Sequence, residues 1–239
     1  MSFLVTCEHA DQKVPQLSEP ADNPRPDNTL ARQEHDPGLG FDPGAASAAR
    51  HFAGMLSAPL MLSNVSTQFI DVSRSRGHSR RIGPIAKKLE ASLREKLLHQ
   101  HYDQYRQRLL DAVRFCIRDA GYVIHLSVRT FAAKRKDGSP RRTDVGLLYD
   151  PSREEERELS IDLVDELWYE LPMLRVRRNY PSRGTIDSIH RYLRDQFADD
   201  EYIGIAMHLN RNWLNRNLPI SETVLTRFAK TIVRMCTAS

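Results

Sequence analysis

The sequence predicts an α/β protein: one domain over residues 1–239, folded as a three-layer αβα sandwich with a mixed central sheet. Three observations lead there. Short runs rich in Val, Ile and Leu alternate along the chain with longer stretches of helical periodicity. No internal repeat and no linker divides the 239 residues, a length that can bury a sizeable core. The apolar runs end abruptly in polar, ionisable residues, and the carboxyl ends of strands are where α/β proteins build their sites.

Taken in order, Phe3 to Val5 is the first strand, ending in Thr6, Cys7, Glu8 and His9. Residues 11–37, rich in Pro, Asp, Asn and Glu, read as a long surface loop. Residues 38–45 start a helix, with Asp42 as its cap, Pro43 as its first residue and an apolar face over 46–56. Residues 59–62 and 69–72 read as strands. The second leads into Asp71 and Arg74, which either hold an anion or pair with each other. After a basic turn, residues 84–120 read as one long helix, on which His99 and His101 do not share a face at metal-binding spacing. Gly121 ends it. Residues 122–128 make the best strand in the chain, with His125 inside and Arg129, Thr130 and Phe131 following. A basic loop over 132–143 precedes a strand entering a turn at 145–151 and a helix over 153–171. A short strand at 174–176, a loop at 179–184, a helix over 186–197 and a last strand over 202–209 follow. Ser221 is placed as the cap of a C-terminal helix reaching Met235.

The formal charge is +4 and the pI about 9.0, with the basic excess spread among many acids and carried mostly by Arg. That balance suits a small anionic substrate or ligand and argues against a nucleic-acid partner. No apolar run is long enough to span a membrane, and Met1 leads straight into the first strand, so no signal peptide is expected. Cys7, Cys116 and Cys236 form neither a disulfide framework nor a metal pair, which places the chain in a reducing cytoplasm. A monomer or homodimer is expected.

Several short segments carry a family resemblance when taken together and in order. These are Cys-Glu-His-Ala at 7–10, Gly-Phe-Asp-Pro-Gly-Ala at 40–45, Ile-Asp-Val-Ser-Arg at 70–74 and the strand running into Phe131. Gly-Leu-Leu-Tyr-Asp-Pro-Ser-Arg at 146–153, Arg-Asn-Tyr-Pro-Ser-Arg-Gly at 178–184 and the strand from Tyr202 to Asn210 complete the set. In this the chain resembles the N-formylglutamate amidohydrolase family, similar in fold to zinc carboxypeptidases and aspartoacylases. The resemblance implies hydrolysis of a C–N amide bond in a small acidic N-acyl amino acid by metal-assisted attack of water, with zinc as the metal. It implies His9 as the first metal ligand, Asp42 as a second ligand or its partner, and His125 as a family histidine one strand pleat before the usual ligand. Glu8 then ligates, orients or acts as base. Arg74 matches a substrate-binding arginine, with Arg129, Asn179 and Arg183 as further anion contacts.

The chain departs from the family pattern where the chemistry is most demanding. Arg129 stands where the pattern has a metal-binding His, Thr130 replaces a Ser, and Ala206 and His208 stand where it has glutamates. A guanidinium cannot ligate zinc and repels a dication beside it. Two readings stay open. Either His208 and His125 have taken over as base or ligands, or the chain is a non-catalytic relative that binds an anionic small molecule or a protein. In the second case a pair between Arg129 and Glu8 or Asp42 puts the guanidinium in the place of the ion.

Overall fold

In the computed structural model, residues 2–11, 13, 15, 40–214 and 218–237 are described. The loop expected over 11–37 lies almost wholly outside them, as do the side chains of 213–221. Six strands form one mixed sheet in the order β2-β1-β3-β6-β4-β5. They are β1 (Ser2–Cys7), β2 (Leu60–Leu62), β3 (Val123–Phe131), β4 (Val145–Leu148), β5 (Val176–Arg178) and β6 (Tyr202–Asn210). All pairings are parallel except β4 with β6. The helices are α1 (Ala45–Met55), α2 (Ala91–Leu97), α3 (Gln104–Ala120), α4 (Glu154–Glu170), α5 (Ile189–Arg194), α6 (Arg211–Leu214) and α7 (Leu218–Thr237).

Side chains alternate across a strand, and the three central strands use the two faces differently. Phe3, Val5 and Cys7 of β1, Ile124, Leu126 and Val128 of β3, and Ile203, Ile205, Met207 and Leu209 of β6 share one apolar core with residues of α1, α4 and α7. Phe52 and Phe228 lock α1 to α7 edge-to-face at 5.7 Å. On the other face only the residues nearest the amino ends, Leu4, Val123 and Tyr202, join the second core, with α3 and α5. Further along that face the inward positions become Thr6 and Glu8, His125, Ser127 and Arg129, and Gly204, Ala206 and His208. The register pairs Ser127 with Ala206 and Arg129 with His208. One half-face of the sheet is therefore polar and buried, and the site grows from it.

Several elements differ from expectation for local reasons. Residues 69–72 make no strand. Phe69, Ile70 and Val72 are buried, but the segment makes only an isolated bridge, Ile70 to Ile82. The long helix over 84–120 is broken: a short turn at Ala86–Lys88, then α2, a π-helical stretch at Leu98–Asp103, then α3. The π-helical stretch and the first turns of α3 bring Tyr102 and Arg106 onto the 72–74 segment. Tyr102 Oη and Arg106 Nη2 donate to the Arg74 carbonyl at 2.8 and 2.6 Å, and the Arg106 guanidinium lies over the Tyr102 and Tyr192 rings. β3 runs on through Phe131, because β6 pairs with it along nine residues. β5 falls at 176–178 instead of 174–176, and the helix expected over 186–197 is only α5, capped by Ser188. α7 begins at Leu218, so Ser221 lies inside it and is not its cap. Asp42 does not cap α1 either. Gly44, at φ 79°, precedes the helix with no side-chain cap.

Behind the polar half-face, buried Glu156 of α4 receives Arg194 Nε and Nη2, both at 2.8 Å, and the backbone N–H groups of Gly204 and Asp150. This pair ties α4, α5 and β6 together.

Candidate functional site

Arg129 is the centre of the site. Its Nε donates to Asp42 Oδ2 and its Nη2 to His9 Nδ1, both at 2.6 Å. A guanidinium can only donate, so Nδ1 of His9 is the acceptor and the His9 Nε2 proton goes to Asp71 Oδ1 at 3.1 Å. Arg211 approaches the other oxygen of Asp42 at 3.6 Å, and the backbone N–H of Thr130 adds a long contact to Oδ2. Asp71 also accepts from the backbone and hydroxyl of Ser73. Burial opposes the charged forms, yet the guanidinium and imidazole hold both Asp42 and Asp71 well below the usual carboxylate range. The same acids push Arg129 above its ordinary value against its burial.

Glu8 lies beside this cluster, 1 % exposed. It accepts from Thr6 Oγ1 at 2.5 Å and Tyr105 Oη at 3.4 Å on one oxygen, and from Ser127 Oγ at 2.9 Å on the other. With Arg74, Arg129, Arg183, His190 and His208 it lines a pocket of about 180 Å³. Arg74 Nε stands 3.4 Å from Asp71, and its Nη1 donates to the Asp187 carbonyl. Arg183, exposed at the rim, makes no ion pair with a described residue. Burial and the positive charge of Arg129 take the pKa of His208 down to about 3, so its imidazole is neutral. A larger depression of about 580 Å³, flanked by Glu155, Glu158, Asp162 and Glu166 of α4, contains none of these residues.

Of the residues singled out in the sequence, Glu8, His9, Asp42, Arg74, Arg129, Arg183 and His208 meet at the carboxyl ends of β1, β3 and β6. Two do not. His125 is fully buried one layer deeper, with Nε2 on Thr6 Oγ1 and Nδ1 on Tyr202 Oη. It is a core residue with both ring nitrogens engaged, not a ligand facing the pocket. Asn179, at φ 49°, turns its carboxamide oxygen onto the backbone N–H groups of Tyr149 and Gly184. It shapes the loop that carries Arg183 and does not itself line the pocket.

Sequence reasoning did not single out Ser127, Arg211, His190 or Tyr202. Ser127 was open to a period-two reading, two residues from both His125 and Arg129 on one face. His190 and Tyr202 carry no local signal; only the packing of α5 onto β6 brings them together.

A zinc site needs about three donors whose lone pairs meet at one point. The lone pairs of His9 Nδ1 and Asp42 Oδ2 both receive protons from Arg129, which has none to offer in return. Among the described residues no group of three or more His, Cys, Asp or Glu side chains is placed to hold a metal ion. The described residues of this cluster do not fit a zinc ion.

The fold and the strand-end site define a class only at the level of architecture: an α/β protein with a mixed six-stranded sheet and a polar pocket at its strand ends. Compared with solved structures, the chain is similar to a gene product of Agrobacterium tumefaciens, with a TM-score of 0.77 and 19% identity over 99% of this chain and 91% of that one. It is also similar to an N-formylglutamate amidohydrolase from Ralstonia eutropha, with a TM-score of 0.65 and 17% identity over 97% of this chain and 94% of that one. The relationship is one of fold. No protein-family model and no curated protein matches the sequence. No helix among the described residues is long and apolar enough to cross a membrane.

Proposed function

We propose that this chain binds a small carboxylate in the pocket between Glu8, Arg74, Arg183 and His208, on an amidohydrolase-like fold in which the Arg129 guanidinium stands in the place of a metal ion. The observation that carries the reading is the pair of 2.6 Å hydrogen bonds from Arg129 to Asp42 and His9. They give Asp42 and His9 a permanent cation partner, so both residues keep a structural reason to persist without metal. Among the described residues, Arg183 and Arg74 are the cations left at the mouth for an incoming anion. The pocket, at about 180 Å³, suits a molecule the size of an amino acid.

Calorimetric titration with N-formylglutamate and with glutarate tests this reading. Binding that weakens about tenfold or more in Arg183→Ala supports it. No heat with either compound, or equal binding by Arg183→Ala, overturns it.

A second reading, hydrolysis of a C–N bond in a small acidic N-acyl amino acid, draws on one observation. Glu8 is a buried carboxylate facing the pocket with capacity for one further hydrogen bond, which a water could make. His208, with its pKa near 3, is too weak a base for the task at neutral pH. Release of formate from N-formylglutamate, abolished in Glu8→Gln, is the result this reading expects.

A further inference from the structure

We infer that His190 presents a bare, acceptor-only Nε2 to the pocket and so selects a ligand that carries an N–H or O–H donor beside its carboxylate. This rests on the pocket being a carboxylate site, as proposed above.

The protons are fixed along a chain of five side chains. Glu8, a carboxylate, accepts from Thr6 Oγ1 at 2.5 Å. Thr6 has one proton and has given it to Glu8, so its contact with His125 Nε2 at 2.8 Å requires His125 to donate. His125 is fully buried and its neutral ring carries one proton, so Nδ1 is an acceptor; the Tyr202 hydroxyl, 2.7 Å away, donates to it. Tyr202 then has no proton left for His190. The 2.7 Å contact between Tyr202 Oη and His190 Nδ1 is therefore a bond in which His190 donates. Nε2 of His190 is left with a lone pair. That atom is buried and has no hydrogen-bond partner among the described residues, on a residue 2 % exposed that lines the pocket. A buried polar atom without a partner is costly and uncommon, so on a residue that lines the pocket it points to a ligand. Burial depresses the pKa of both imidazoles, in keeping with neutral rings.

The sheet is built to admit this arrangement. A Cβ on Gly204 of β6 meets His190 Nδ1 at 2.7 Å and Tyr202 Oη at 2.9 Å, closer than side chains approach. A residue with any side chain at 204 displaces the ring that the chain orients. Thr6, His125 and Tyr202 are thus positioning residues, which act on a ligand through His190.

The test has two parts. In the ligand-free protein, nitrogen NMR of labelled histidine is expected to show His190 with a pyrrole-type Nδ1 and a pyridine-type Nε2; a pyrrole-type Nε2 overturns the inference. Binding is then compared for 2-hydroxyglutarate and 2-oxoglutarate, which differ in offering a donor or only an acceptor at one carbon. The wild type is expected to prefer the hydroxy acid roughly tenfold or more, and His190→Phe to lose that preference while still binding the oxo acid. Equal binding by the wild type, or an unchanged preference in His190→Phe, overturns the inference and leaves the carboxylate site standing. If neither compound binds, the carboxylate reading fails by itself and the nitrogen spectrum alone decides the tautomer. Should His190→Phe not fold, the spectrum and the wild-type preference still decide.

Discussion

Arg129 organises its neighbours by charge and by shape. It faces three carboxylates within one cluster, and two of its N–H groups point at fixed acceptors. Removing it leaves Asp42 and Asp71 buried with less cation to face, and breaking a buried pair in this way costs about 3–5 kcal/mol. Arg129→Met is therefore expected to lower unfolding stability in urea by that amount, and Arg129→Lys to lower it less, since the charge stays while the paired geometry is lost. A loss below about 1 kcal/mol in Arg129→Met, the level of a surface ion pair, contradicts this account. The conflict at this position was legible once the family resemblance placed a histidine there, because a guanidinium cannot replace an imidazole lone pair. What the sequence left open was which of Glu8 and Asp42 is the partner. Asp42 reads as a helix cap beside Pro43, and only the fold, by supplying Gly44 in a left-handed turn, frees its carboxylate for Arg129.

At the scale of elements, the site depends on loops locked by backbone contacts. Gly146 of β4 lies so close to the Tyr180 carbonyl that no Cβ fits between them, and Gly184 packs as tightly on the Tyr149 backbone. Asn179 bridges the same two segments. The segments at 146–153 and 178–184 therefore shape the rim through backbone packing, whatever the pocket holds. Asn179→Ala leaves two N–H groups without their acceptor and is expected to cost about 1–3 kcal/mol. It is also expected to weaken glutarate binding by letting Arg183 move, although Asn179 itself does not face the pocket. Unchanged stability, measured in urea, argues against the locking role. The strands with strict alternation, β1, β3 and β6, were legible because burial on both faces makes them apolar and their polar positions fall at period two. The segment at 69–72 misled because a short apolar run signals burial, not pairing, and the helix at 84–120 because apolar periodicity does not register a π-helical stretch.

For the molecule as a whole, the layered α/β architecture was readable from the order of elements, whereas the sheet order and the antiparallel β4 arise from contacts far apart in sequence. Folding around a polar half-face also leaves a mark on stability. Burial takes His125 and His208 from 6.5 to about 3 and drives His190 well below its ordinary value. Between those limits the unfolded chain binds more protons, so stability is full above about pH 6.5 and is lost as pH falls, by up to about 1.4 kcal/mol per pH unit for each imidazole. The urea midpoint is expected to fall from about pH 7 to about pH 5, and to fall less in His208→Gln; equal falls in both proteins contradict this origin. The substitution of a guanidinium for a metal ion is the claim on which the rest turns, and zinc titration of chelator-treated protein followed by calorimetry tests it most directly. No stoichiometric binding is expected for the wild type, and recovered binding for Arg129→His with Ala206→Glu. One zinc ion held tightly per wild-type chain, and lost in His9→Ala, contradicts it.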